Sequence, residues 1–244
     1  MRTVLTATLS LTLAASAQAQ FPPEKLENLK VFPKDIPVRA LIDTMAGFTR
    51  ALGVRCTFCH VGEEGKPLST YDFKSDEKHT KEAARVMLGM VAAINGAELG
   101  KLEHRHEPTI TVTCATCHRG VSEPRPLQQV LMIAYDSGGA DAAEKKYREL
   151  RERYYGRASY DFGEVPLADV ANALRQKSMT DALRFHALNT EFTPNSAFAH
   201  RQAGQAYLAA GDTAKAIASF ERVMVIAPND QQTARALESL KKKP

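Results

Sequence analysis

Cysteine is scarce in this chain, and its placement narrows the chemistry before any motif is named. It occurs four times in 244 residues, and all four fall in two stretches, VRCTFCHVG (residues 54–62) and VTCATCHRG (residues 112–120). None is left over for a further bridge or a separate reactive thiol. Beyond the first twenty residues, no apolar run approaches the roughly 20 residues that a membrane-spanning helix requires. No basic stripe follows the pattern that tracks a phosphate backbone, so nucleic acid is not an expected partner. Net charge is a formal +4, and the terminal Lys-Lys-Lys-Pro reads as a solvated helix end with cations near the negative pole.

The chain starts MRTVLTATLSLTLAASAQAQ: one basic residue at Arg2, an apolar run over residues 4–15, then Ala17-Gln18-Ala19. This is the layout of a secretory signal peptide, residues 1–19, cleaved after Ala19 and too short to span a bilayer. The competing reading is an N-terminal core helix. No cysteine follows the cleavage point, so a lipid anchor is not indicated there. The mature chain is expected to be exported, periplasmic or extracellular. About 225 residues then remain, enough for one large domain or two small ones.

An even cysteine count in an exported protein normally suggests disulfides. A disulfide, however, leaves unexplained the histidine that directly follows each pair, His60 and His118. Two Cys-x-x-Cys pairs can also bind zinc tetrahedrally, yet Cys59 and Cys114 are separated by far more than the about 15–20 residues usual in such a site. Covalent haem c uses every residue. The thiols of Cys56, Cys59, Cys114 and Cys117 add to porphyrin vinyl groups as thioethers, and His60 and His118 are held under the irons as proximal ligands. Two haems per chain are expected, and their four propionates would bring the net charge near zero.

The segments ahead of the motifs repeat each other. Residues 44–54 (TMAGFTRALGV) align without gaps with residues 86–96 (VMLGMVAAING), matching Met45 with Met87, Gly47 with Gly89, Phe48 with Met90 and Leu52 with Ile94. Apolar spacing at three and four residues makes both helices. The second is expected to begin near Ser75 or Asp76, with Glu77 and Glu82 close to its positive end. Methionines on an apolar helix face are ordinarily flexible core fillers. Recurrence of one position ahead of each motif favours Met45 and Met87 as axial metal ligands instead, with Met90 in reserve at i+3 from Met87.

The run ARVMLGMVAAIN followed by VTCATCHRG resembles the cytochrome c subunit of the bacterial photosynthetic reaction centre, over about residues 29–126. The resemblance implies that a helix, a turn and a Cys-x-x-Cys-His segment embrace each haem, with the helix methionine as sixth ligand. It pairs Met45 with His60 and Met87 with His118. That family carries four haems and long loops, whereas two motifs and short connections stand here. One of its haems takes a histidine from the stretch after the second helix. His104 and His106 lie nearby but have no third haem to serve, and both read as surface residues. The haem cradle carries over; a photosynthetic role does not.

Pro124 and Pro126 in RGVSEPRPL break the helical pattern. They divide a diheme cytochrome c domain, residues 20–126, from a second domain, residues 127–244. The second is helical in period, and residues 197–230 fit a tetratricopeptide repeat through Gly204, Tyr207, Ala216, Phe220 and Pro228, with His200 and Ala203 in place of its tryptophan and leucine. Ala182 and Pro194 precede Ala216 and Pro228 by 34 residues, a second and degenerate copy, and residues 138–156 offer the start of a third. The expected fold class is all-α: a small diheme cytochrome c domain followed by a tetratricopeptide-like array of helical hairpins. That array is either a plain scaffold or a surface for protein docking or self-association. His186 and His200 read as packing or surface residues, and the aromatic run at residues 153–164 as a packing hub or interface.

With both axial positions filled by protein, a haem passes electrons and binds no substrate. The expected function is therefore electron transfer between redox partner proteins, not enzymatic catalysis. The rival is a diheme peroxidase or gas-binding haem protein with one open axial site and distal acid–base groups, and no such groups stand out near either motif.

Overall fold

The computed structural model describes residues 20–104 and 108–242; the expected signal peptide and His106 lie outside them. The protein is all-α. Every named element among the described residues is helical, and the only strand-like pairing is an isolated bridge between Val61 and Asp72. The chain forms two compact units that meet in sequence at Ser122 and Glu123.

The N-terminal unit has two long helices and one short one. Helix α1, Val38–Leu52, stops where Gly53 turns left-handed (φ 66°) and returns its N–H to the Thr49 carbonyl, a glycine-capped helix end. A 3-10 turn at Cys56–Phe58 and another at Leu68–Thr70 lead to α2, His79–Ala93. A π turn, Ile94–Glu98, loosens the end of α2, and α3, Cys114–His118, closes the unit.

The start of α2 corrects the expectation at Ser75 or Asp76. Asp72 Oδ1 accepts the backbone N–H of Lys74 (3.1 Å) and of Ser75 (3.0 Å), closing a turn there. Asp76 accepts Lys30 (2.7 Å) and Arg85 (2.8 Å) instead of capping a helix. Occupied by cations, it is unavailable to the backbone, and the helix begins at His79 with Glu82 as the acidic residue of its first turn.

The C-terminal unit is a run of helices in which neighbours in sequence pack on one another: α4 (Leu127–Tyr154), α5 (Glu164–Leu174), α6 (Met179–Phe192), α7 (Ala197–Ala209), α8 (Thr213–Ile226) and α9 (Gln231–Lys241). Non-helical backbone at Gly138 and Gly139 breaks α4 into two segments. The starts of α6 to α9 are written in the sequence as Ser178, Ser196, Asp212 and Asp230, whose side chains accept backbone N–H groups of the first turn. Helices α6 and α8 begin and end 34 residues apart. Gly204 of α7 lets α8 approach closely, since a Cβ there would sit 2.6 Å from the Phe220 ring.

Leu127, Leu131, Tyr147, Leu167, Leu174 and Phe185 are fully or almost fully buried in one continuous core. His186 is a packing residue, 1% exposed, while partly buried His200 hydrogen-bonds the Pro194 carbonyl through Nε2 (3.1 Å). The aromatic run is a packing hub: Tyr160 meets both Tyr154 and Phe162, and Phe162 packs on Tyr147.

Candidate haem-binding site

Each Cys-x-x-Cys-His segment is a single tight turn. In the first, Cys59 N donates to Cys56 O (3.2 Å) and His60 N to the same carbonyl (2.9 Å). In the second, a reciprocal cap between Thr113 and Thr116 starts α3, and left-handed Arg119 ends it. The two thiols of each motif thus lie one turn apart, with the imidazole immediately after them.

The histidines differ in how they are held. His118 Nδ1 lies 3.0 Å from the Val121 carbonyl. With the proton on Nδ1 donated there, Nε2 keeps its lone pair for a metal, and the ring is fixed in orientation. His60 packs edge-on against the Phe73 ring at 5.0 Å between centroids, and its buried Nδ1 has no hydrogen-bond partner. Burial, then the charge of Lys81, holds His60 down at about 4, with Arg85 and Lys78 adding to the effect and the Phe73 backbone opposing it. The ring is therefore neutral at pH 7, the form that ligates a metal. Burial also pushes the Cys59 thiol up, and its bond with the Thr80 side chain offsets part of that.

Polar staples join helices to motifs. At the start of α2, Lys78 Nζ donates to the Thr57 carbonyl and Thr80 Oγ1 to the Phe58 carbonyl, both inside the first motif. Just past the end of α2, the Asn95 side chain donates to Val112 O (2.7 Å) and accepts Val112 N–H (2.8 Å), two residues before Cys114. Helix α1 leads into the first motif, and its last turn meets the second, where Gly120 N donates to Ala51 O (2.8 Å). Any side chain at Gly53 would collide with the Gly120 carbonyl. So α2 is tied to both motifs, and α1 adjoins the first in sequence and packs on the second.

Met45 is half-buried on α1. Met87 and Met90 on α2 are 44% and 46% exposed, beside Val86 at 63%. His104 is exposed. All four cysteines are free thiols. Among the described residues no three His, Cys, Asp or Glu side chains converge as a metal site, so the motifs do not pool their ligands as a zinc centre would require.

The N-terminal unit is unusual in its interior. Its only buried hydrophobics among the described residues are Ala51 and Val121, and α2 has no buried residue. A folded unit of this size normally buries a contiguous apolar cluster. Its apolar side chains are instead ranged on helices stapled to the two Cys-x-x-Cys-His turns, an arrangement suited to packing on large flat apolar groups. Thiols one turn apart, imidazoles with a free ring nitrogen and an apolar helix face together fit covalently attached porphyrin.

Fold and donor set define the class: an all-α cytochrome of the c type, carrying covalently held haem. Residues 14–148 match the family described as the photosynthetic reaction centre cytochrome C subunit. The match spans more than half of the chain, and the protein belongs to this family. Family membership makes it a haem electron carrier. No curated protein matches the chain. Among solved structures, the first TPR of Spaghetti (RPAP3) bound to HSP90 peptide SRMEEVD is similar at 20% identity with a TM-score of 0.32, covering 48% of this chain and 90% of that one. Among the described residues, no helix is long and apolar enough to cross a membrane.

Sequence reasoning passed over Asn95, the Val121 carbonyl and the cations of α2. Asn95 ends the very run that carries the family resemblance, and a polar residue closing the apolar stretch at residues 86–94 was the available signal. Lys81 and Arg85 stand four apart, the spacing of one helix face, but their shared carboxylate, Asp76, could not be assigned without the fold.

Proposed function

We propose that this protein is an exported diheme c-type cytochrome that passes electrons between redox partner proteins. The observation that carries the reading is the pair of stapled Cys-x-x-Cys-His turns in a unit with almost no core of its own. Haem, when bound, supplies reversible one-electron storage at its iron. Cys56, Cys59, Cys114 and Cys117 would anchor the two groups, and His60 and His118 would each supply a metal ligand. Met45 and Met87 would supply the second ligand at each, with Met90 the reserve for Met87. A thioether opposite an imidazole stabilises the reduced metal more than a second imidazole would, and a filled axial position excludes exogenous ligands. The signal-like N-terminus supports a periplasmic or extracellular location.

The helical array is read as a tetratricopeptide-like platform for docking or self-assembly. The 34-residue offset of α6 and α8 and the close contact of Gly204 with Phe220 support this. The reaction class is tested by a haem count on the purified exported protein together with carbon monoxide binding to its reduced form. Two haems c per chain without prompt gas binding are expected. A count below two defeats the diheme reading, and prompt stoichiometric binding favours a peroxidase or gas-binding protein.

A further inference from the structure

Lys81 is almost enclosed, with 12% of its side chain exposed. Its ammonium donates to the Phe73 carbonyl (2.9 Å) and the Ser75 carbonyl (2.7 Å), and the Phe73 ring lies against His60. It also lies 3.2 Å from Asp76, which Arg85 and Lys30 share. Arg85, equally enclosed, bonds Glu82 as well, and Lys78 reaches into the first motif at Thr57. Lys81, Arg85 and Lys30 thus share Asp76, with Glu82 also on Arg85, and Lys78 adds a cation at the first motif itself. Charges held out of water are only weakly screened by salt.

The surroundings of His118 differ. Its ring bonds the Val121 carbonyl, which strengthens the donor nitrogen on the opposite side of the ring. The nearest cation in sequence, Arg119, is exposed, with Nε 3.3 Å from the Thr116 carbonyl. An oxidised metal centre carries one more positive charge than a reduced one. Nearby cations therefore favour reduction at His60, and a strengthened imidazole favours oxidation at His118.

We propose that the two haem sites are unequal by construction: Lys81, supported by Lys78 and Arg85, makes the His60 site the higher in potential, and the Val121 carbonyl keeps the His118 site lower. Electrons entering the protein would then settle at the His60 site. The proposal rests on the diheme reading. Lys81 acts as a positioning residue for charge and does not touch the metal.

The test is a spectroelectrochemical titration of the full-length holoprotein, after its haem content has been counted. Two resolved one-electron waves are expected. Lys81→Met should shift the higher wave toward lower potential and leave the lower wave in place, while Lys81→Arg should leave both near wild type. Should Lys81→Met not assemble, Lys78→Met should give a smaller shift of the same wave in the same direction. Coincident waves in the wild type, movement of the lower wave, no movement at all, or equal shifts from Met and Arg at position 81 would each overturn the proposal. A haem count below two would instead remove the reading beneath it, so the two failures are distinct.

Discussion

The two halves of this molecule solve the folding problem by opposite means. The C-terminal unit buries Tyr147, Phe185, Leu131, Leu167 and Leu174 in a continuous apolar interior, and its hairpins are closed by capped helix starts. The N-terminal unit buries almost nothing apolar and is joined by polar staples: Asn95 to Val112, Lys78 to Thr57, Thr80 to Phe58, and Gly120 to Ala51. A net hydrogen bond contributes only about 1 kcal/mol, far less than a packed interior supplies in sum. The lesson is that the first unit specifies where segments go without itself supplying the burial that would keep them there. The second unit does both.

The largest test of that contrast is to withhold haem attachment. In a chain with Cys56, Cys59, Cys114 and Cys117 all replaced by Ala, hydrogen exchange over residues 20–122 should lose nearly all protection, while residues 123–242 keep theirs. Equal protection in both units would erase the distinction.

A smaller effect isolates the C-terminal core. Buried His186 is held at about 4, against an ordinary 6.5, because burial disfavours the charged ring and Arg175 adds to this. The unfolded chain therefore binds the extra proton more readily, and stability rises with pH between these values. The contribution is complete above pH 6.5, is lost as pH falls toward 4, and amounts to about 3 kcal/mol at most. Denaturant titrations of the C-terminal unit should show this acid loss, and His186→Leu should flatten it.

The smallest effect concerns one staple. Asn95→Leu leaves the N–H and carbonyl of Val112 without their partner, at a cost of about 1–3 kcal/mol. Thermal melts of the holoprotein followed at the haem absorption should drop in midpoint, while far-UV signals from the C-terminal helices hold. A variant that melts like wild type would show that attached haem alone positions the second motif.

Much of the C-terminal unit was legible because its signals are local. The recurrence of alanine and proline at 34 residues anticipates the matching of α6 with α8. The break at Gly138 and Gly139 coincides with the start of the third copy read at residues 138–156, although helix also precedes it from Leu127. In the N-terminal unit, the helices ahead of each motif were readable from apolar spacing, but the start of α2 was placed too early. Ser75 and Asp76 look like capping residues, and only the fold shows that Asp76 is claimed by Lys30, Lys81 and Arg85. The enclosure of Lys81, beside the ring that packs on His60, likewise depends on the fold and not on the stretch SDEKHTKEAAR alone.

By itself the amino-acid order determined the chemistry this protein can carry, because attaching a porphyrin through two thiols and an adjacent imidazole needs only neighbouring residues. It also determined that the chain is helical, since apolar periodicity and caps act within a few turns. Tertiary structure alone decided how the surroundings of the two Cys-x-x-Cys-His motifs differ, through Lys81 near one and the Val121 carbonyl at the other. Those differences come from charges and hydrogen bonds whose partners lie on separate turns and helices, and electrostatic interaction depends on distance in space, not on distance along the chain.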